Sequence, residues 1–311
     1  MNYAIAIEFG GQSIKAALVD LHGKVSSYNR MTLNQESPPS YNDFERDFDA
    51  LMRATKGKSE TSALGIAHPN PCDPKSLTFM LTHKPAYKHI NGHPLKRLVL
   101  DGTRLAEYHT IYDAGAAGLG ELWQGKIEKH GRFLLLTLGT GLGAVFIEDG
   151  LIVTGEHVQG IPESGELWDY QYRNANLEEV TGTTKAAVSI YRELGGTDPD
   201  VLTGDLKKLA STGRENRDSG IAQKTFAEFG RRLGDSLAPI AKIFCPNAVI
   251  LSGNIALAYD LFEHEAKRAL KIGLDGSNIP ANIVQSDLID RGGILGAAYR
   301  AFYPNRPFRE E

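Results

Sequence analysis

Twice in this chain an apolar strand breaks into glycines and then resumes. Residues Leu134 to Gly150 read "LLLTLGTGLGAVFIEDG", and residues Tyr3 to Asp20 read "YAIAIEFGGQSIKAALVD". Glycine weakens a strand through backbone entropy and a missing side chain, so glycines at a strand end mark a turn or a close backbone approach. Each segment predicts strand, small-residue turn, strand. One such hairpin would be an ordinary connection between buried strands. Two of them, in separate halves of the chain, predict two walls of one cleft. Backbone N–H groups exposed in such turns suit phosphate oxygens, because no Cβ blocks the approach and each amide dipole points at the anion. The first turn also carries a carboxylate, Glu8, and a cation, Lys15.

The chain's 311 residues exceed the size at which a single core stops growing, which predicts two domains. Hydrophobic content of 41% and charged content of 23% are those of a globular protein with a full core. A net charge of −4 supplies no general pull toward nucleic acid or anionic membranes. No apolar run reaches the ~20 residues of a bilayer span, and strand one begins without a basic, apolar leader, so a cytoplasmic, reduced protein is expected. Cys72 and Cys245 lack zinc-site spacing and are expected to be small buried residues.

Between the hairpins, "ALGIAHPNPCDPKS" predicts a short buried strand running into a proline-rich loop, and "NGHPLKRLVL" opens a short helix. In "EYHTIYDAGAAGLGELW" a brief strand ends near Ile111 and Asp113 stands at the start of a helix of small residues. An Asp there is ordinarily an N-cap, worth about 1 kcal/mol. Beyond the second hairpin, residues 154–184 are polar and lack periodicity, as a binding loop would. From Thr183 the apolar spacing becomes helical, interrupted by "PNAVILSGNIA", a buried strand from Val249 to Leu251. "RGGILGAAYRAFY" starts a closing helix, where Gly292, Gly293 and Gly296 serve tight helix packing or nucleotide contact.

In this order the segments resemble the ROK family (repressors, open reading frames, sugar kinases). "IEFGGQSIKAALVD" is similar to its first phosphate motif, "YDAGAAGLGE" to its catalytic segment and "LGTGLGAVF" to its second phosphate motif. "PNAVILSGNIA" and "GGILGAA" resemble its nucleotide-side elements. The resemblance implies an α/β, two-lobed actin-like ATPase (ribonuclease H-like) fold with a cleft between the domains. Residues 1–114 would form the first lobe and 115–296 the second, with a closing helix, 297–311, packing back on the first. It implies ATP and Mg²⁺ as cofactors, and domain closure around a sugar that excludes water.

By the same resemblance, Gly10, Gly11, Gln12 and Lys15 would face the nucleotide's phosphates from one side. Gly139, Thr140, Gly141 and Gly143 would contact them from the other, with Gly253 and Asn254 nearby. Glu8, where the family has Asp, would hold the metal through water. Asp113 matches the catalytic base, which accepts a proton from the attacking sugar hydroxyl as the γ-phosphoryl moves. Asn70, Pro71, Tyr112, Asp113, Glu166, Asp169 and Glu178 would line the sugar site, where buried polar groups discriminate by hydrogen bonding. Glu166 and Glu178 read equally as solvated loop acids.

The departures fall in that same site. No cysteine lies between Cys72 and Cys245, and Asp169 stands near the zinc-binding His of relatives, so no structural zinc is expected. Tyr112 replaces an Asn, Glu8 an Asp and Gln12 a Thr. The leading expectation is an ATP-dependent sugar kinase, with glucose, fructose or an N-acetylhexosamine as acceptor. The alternative is a noncatalytic sugar sensor or pseudokinase. A strand beginning near Tyr3 leaves no N-terminal helix-turn-helix, so the expected partners are a small-molecule sugar, with no nucleic acid and no membrane, and a homodimer as an available assembly.

Overall fold

The computed structural model describes residues 3–57, 59–82, 84–211, 217–280 and 282–305. The chain divides into two compact units, one running up to Lys126 and rejoined from Arg291 onward, the other spanning Ile127–Asp290. The first contains β1 (Tyr3–Phe9), β2 (Ser13–Asp20), β3 (Val25–Thr32), α1 (Tyr41–Lys56), β4 (Thr61–His68), the two-residue pair β5 (Cys72–Asp73) and β6 (Thr78–Phe79), α2 (Lys96–Thr103), β7 (His109–Tyr112) and α3 (Asp113–Gln124). The second contains β8 (Arg132–Leu138), β9 (Leu142–Glu148), β10 (Leu151–Val153), the short hairpin β11 (Gln171–Tyr172) and β12 (Ala175–Asn176), α4 (Leu177–Val180), α5 (Thr184–Glu193), α6 (Thr203–Ser211), α7 (Arg217–Phe244), β13 (Ala248–Ser252), α8 (Tyr259–Gly273) and β14 (Asn282–Gln285). The final helix, α9 (Gly292–Phe302), returns to the first unit.

The two units repeat one sheet. The first has strand order β3-β2-β1-β4-β7 and the second β10-β9-β8-β13-β14. In each, two antiparallel strands flank three parallel ones, and the turn from the first parallel strand into its antiparallel neighbour is one of the two glycine turns. This is the actin-like α/β plan that the family resemblance implies.

In β1 the side chains alternate between two buried faces. Ile5, Ile7 and Phe9 join the core that includes Phe44 and Phe48 of α1. Ala4, Ala6 and Glu8 point the other way, toward α9, which packs on β1 and β4. Small residues there bring backbones together: a Cβ on Gly65 would lie 1.8 Å from the Ala297 carbonyl oxygen, and one on Gly296 1.7 Å from that of Ala116 in α3. Tight packing therefore accounts for Gly296. The boundaries expected at 114/115 and 296/297 would cut α3 after its second residue and α9 near its middle. Residues 306–311 of the expected closing helix lie outside the described residues, and the helix itself ends at Phe302.

In the second unit, β8, β9 and β13 carry Leu134, Leu136, Leu138, Phe146 and Leu251 into a core shared with Phe226, Phe229 and Phe244 of α7 and Phe262 of α8. Cys245 departs from expectation. It is exposed, with φ of 51°, where the chain leaves α7 for β13. Cys72 is partly buried, and that burial pushes its thiol up to about 12. Among the described residues no helix is long and apolar enough to cross a membrane.

Candidate functional site

In the first unit, β1, β4 and β7 run parallel, with Glu8 opposite Ala67 and His68 opposite Tyr112. That register brings Glu8, His68 and Tyr112 to one edge, the carboxyl ends of three parallel strands, where open α/β sheets bind ligands. The β1–β2 turn lies at the same edge. Gly10 N–H donates to the Ser13 carbonyl at 2.9 Å, and the carbonyls of Gly10, Gly11 and Gln12 accept from Tyr87 Oη, Gln35 Nε2 and Leu33 N–H at 2.9, 3.1 and 2.8 Å. Gln12 itself is exposed.

Asp113 does not cap its helix. Tyr112, in extended backbone, is the N-cap, and Asp113 is the first helical residue, its Oδ1 accepting from Ala114 N–H at 2.8 Å. The residue keeps some exposed surface, yet burial of the carboxyl dominates its electrostatics and raises its pKa, opposed by the positive charge of Lys84, the Ala114 hydrogen bond and His68. His68 is buried and its pKa is lowered by that burial, against the Pro69 carbonyl contact and the charge of Asp113. A neutral imidazole and a carboxylate with raised pKa thus stand together at the strand ends. The Asn70–Pro71 peptide is cis, and both residues are exposed on the loop that leaves β4. The Tyr112 ring lies along the first turn of α3: a Cβ on Gly115 would sit 2.7 Å from its Cε1.

Glu8 and Lys15 pair across the hairpin, Nζ at 3.2 Å from Oε1 and 3.3 Å from Oε2. The Glu8 carboxylate also meets the start of α9, where a Cβ on Gly293 would fall 2.7 Å from Glu8 Oε2. That approach sets an anion against a helix N-terminus, a favourable placement. Gly293 therefore leaves the space that this carboxylate occupies. Among the described residues no cluster of three or more His, Cys, Asp and Glu is placed to hold a metal ion. Magnesium characteristically keeps most of its waters and takes one or two carboxylates together with substrate phosphates, and a single carboxylate such as Glu8 meets that requirement.

Local pattern does not single out His68, Lys84 or Tyr87. Tyr87 is fully buried, and its pKa is raised by burial and then by the charges of Asp113, Cys72 and Glu8. Its hydroxyl binds the Gly10 carbonyl, so one phenol links the glycine turn to the surroundings of both carboxylates. The only visible signal was an aromatic residue inside a polar, proline-bounded segment.

In the second unit, the turn between β8 and β9 is closed by Gly139 N–H donating to the Gly141 carbonyl at 3.1 Å. A Cβ on Gly139 would meet nothing within 4 Å, so its backbone faces open space. Thr140 lies at the tip, while Gly143 is already in the ladder opposite Thr137. The end of β13 adjoins this turn. Gly253 has φ of 86°, and a Cβ there would fall 2.5 Å from the Leu138 carbonyl oxygen, so only glycine lets Gly253 and the exposed Asn254 come this near.

The acids expected for the sugar divide. Glu178, on α4, places Oε2 3.2 Å from Leu142 N–H, in contact with the glycine turn. Its backbone N–H donates to the Trp168 carbonyl at 3.3 Å, which ties α4 to the loop carrying Glu166 and Asp169. Glu166 is partly buried, its N–H donating to Ser164 Oγ at 3.2 Å, and Asp169 is exposed. The β11–β12 hairpin after them is anchored on α7: Tyr172 Oη donates to Asp235, and Arg173 Nη2 donates to the same carboxylate at 2.7 Å.

Comparison with known proteins agrees with this geometry. A model of the ROK family matches residues 4–165. The chain is 25% identical to a glucokinase of Streptomyces coelicolor over 330 aligned positions, covering 98% of this chain and 99% of that protein. It is 27% identical to an N-acetyl-D-glucosamine kinase of Vibrio parahaemolyticus, over 76% of this chain and 79% of that one. Among solved structures, a ROK family glucokinase from Streptomyces griseus in complex with glucose and AMPPNP has the same fold, with a TM-score of 0.78 at 21% identity and coverage of 96% of this chain and 99% of that one.

Proposed function

The chain belongs to the ROK family, and from that premise we propose that it is an ATP-dependent sugar kinase, carrying the γ-phosphoryl group of ATP to a hydroxyl of a hexose or related sugar. Relatives named as glucokinase and N-acetyl-D-glucosamine kinase support this, and glucose, fructose and N-acetylhexosamines are the acceptors to try first.

The observation that carries the proposal is the state of Asp113. Phosphoryl transfer asks of the protein alignment, charge neutralisation and one carboxylate to receive a proton. Asp113 is held by Ala114 N–H through Oδ1, which leaves Oδ2 as the oxygen to take the proton from the sugar hydroxyl. Burial raises its pKa and so strengthens it as a base, while the positive charge of Lys84 opposes that shift and favours the ionised form. The glycine turns, Gly10 to Gln12 and Gly139 to Gly141, would offer backbone amides to phosphate oxygens. When bound, Mg²⁺ would neutralise phosphate charge, with Glu8 as the carboxylate that orients its waters. In the first unit Asn70, Pro71 and Tyr112 would be the sugar-binding residues, and in the second Glu166, Asp169 and Glu178.

The second reading, a noncatalytic sensor, is favoured by the Glu8–Lys15 pair, in which the expected metal-side acid is already partnered. A coupled ADP-release assay with Mg²⁺-ATP and a sugar panel, run beside Asp113→Asn, separates the two. Turnover with a sugar that the variant loses supports the kinase and its base. Absence of turnover with every sugar, together with a sugar that raises Tm, supports the sensor.

A further inference from the structure

We propose that Glu178 is a positioning residue for the second glycine turn, holding it in the shape that receives the phosphates of a nucleotide; the proposal rests on the kinase reading above. A turn of Gly139, Thr140 and Gly141 has almost no side chain with which to define itself, and glycine carries the largest backbone entropy of any residue. Its shape has to be imposed by neighbours.

The segment from Glu178 to Thr184 supplies that constraint on both flanks of the turn. On the leading side, Thr184 N–H donates to the Gly139 carbonyl at 2.9 Å. On the trailing side, Glu178 Oε2 accepts from Leu142 N–H at 3.2 Å. Between them Gly182, with φ of 81°, lies so close that a Cβ would meet Leu142 Cδ1 at 2.8 Å. The segment is itself braced: Thr183 Oγ1 donates to the Glu178 carbonyl at 3.0 Å and accepts from Ala186 N–H at 3.1 Å. Leu142 is only 3% exposed, and Glu178 Oε2 is the acceptor that satisfies its amide.

The charge of Glu178 works against this role, because a carboxylate near Gly141 repels the phosphates expected there. The acid oxygen is thus used as a hydrogen-bond acceptor, and an amide oxygen would serve as well. A residue that only binds sugar would behave differently on both counts.

The test is calorimetric titration of the full chain, Glu178→Ala and Glu178→Gln with Mg²⁺-AMPPNP, with amide exchange of Leu142 followed in the same three proteins. Glu178→Ala is expected to weaken nucleotide binding about tenfold, the scale of one hydrogen bond to a charged group, and to speed exchange at Leu142. Glu178→Gln is expected to bind within about twofold of the unsubstituted chain and to keep Leu142 protected. Nucleotide binding unchanged in Glu178→Ala, or lost equally in Glu178→Gln, overturns the proposal while leaving the kinase reading in place. Failure of the unsubstituted chain to bind Mg²⁺-AMPPNP overturns both.

Discussion

Lys15 Nζ stands 3.2 Å from Glu8 Oε1 across the β1–β2 ladder, with the two side chains 14% and 17% exposed, and the same carboxylate presses against the first turn of α9. The pair is therefore fixed from two sides, by a cation and by a helix N-terminus. Its position depends on a missing Cβ, because Gly293 leaves no room for one. Gly293→Ala is expected to displace Glu8 and to lower stability by about 1–3 kcal/mol, the usual cost of overpacking. Urea unfolding checks this; an unchanged midpoint would show that Glu8 has another place to go.

Two glycines offer a controlled contrast. In Gly296→Ala the new methyl meets the Ala116 carbonyl oxygen at 1.7 Å, whereas in Gly139→Ala it meets nothing within 4 Å. The first substitution is expected to cost about 3 kcal/mol of fold stability. The second should stay within about 0.5 kcal/mol of the unsubstituted chain yet weaken nucleotide binding. Denaturation and calorimetry on both variants give the comparison, and a stable Gly296→Ala would refute the account of the α3–α9 contact.

Asp113→Asn is expected to abolish phosphoryl transfer and to raise Tm at pH 7. Burial raises the carboxyl's pKa above the ordinary 3.8, so the folded state bears the cost of an ionised group that the unfolded state does not. The cost is present above the raised value and disappears below the ordinary one, where the group is protonated in both states. The Tm advantage of the Asn variant should accordingly shrink as pH falls toward 3.8. Melting curves from pH 7 downward check the sign; an advantage independent of pH would mean that charge burial is not its source.

Tyr112 lies beside Asp113 and along Gly115, so its ring shapes the space next to the proposed base. Tyr112→Asn is expected to change KM for sugars by about tenfold, the scale of one or two contacts in a specificity pocket, and to leave KM for Mg²⁺-ATP unaltered. Steady-state kinetics across the sugar panel reads this directly. Equal shifts in both KM values would place the ring elsewhere in the mechanism.

Much of the plan was legible in the chain. Backbone physics alone ties the two glycine turns to strand ends, and the duplicated hairpins and the buried strand at Val249 to Leu251 followed from local pattern, while the α/β fold class came from the family resemblance. So did the closing helix, because a run of glycine and alanine at helical spacing implies a close neighbour. None of these depends on distant parts of the chain.

The tertiary structure decided what local pattern has no means to encode. His68, Lys84 and Tyr87 come from a strand end and a proline-bounded loop, and only the parallel register of β4 with β7 and the folding of that loop bring them to Asp113. Sequence could name Glu178 as an acid in a polar loop, but not that it reaches back 36 residues to the amide of Leu142. Gly293 and Gly296, one helical turn apart, have different tasks for the same reason: one faces a carboxylate and the other a carbonyl. Residue type fixes what chemistry is available, and long-range packing fixes which groups are close enough to use it.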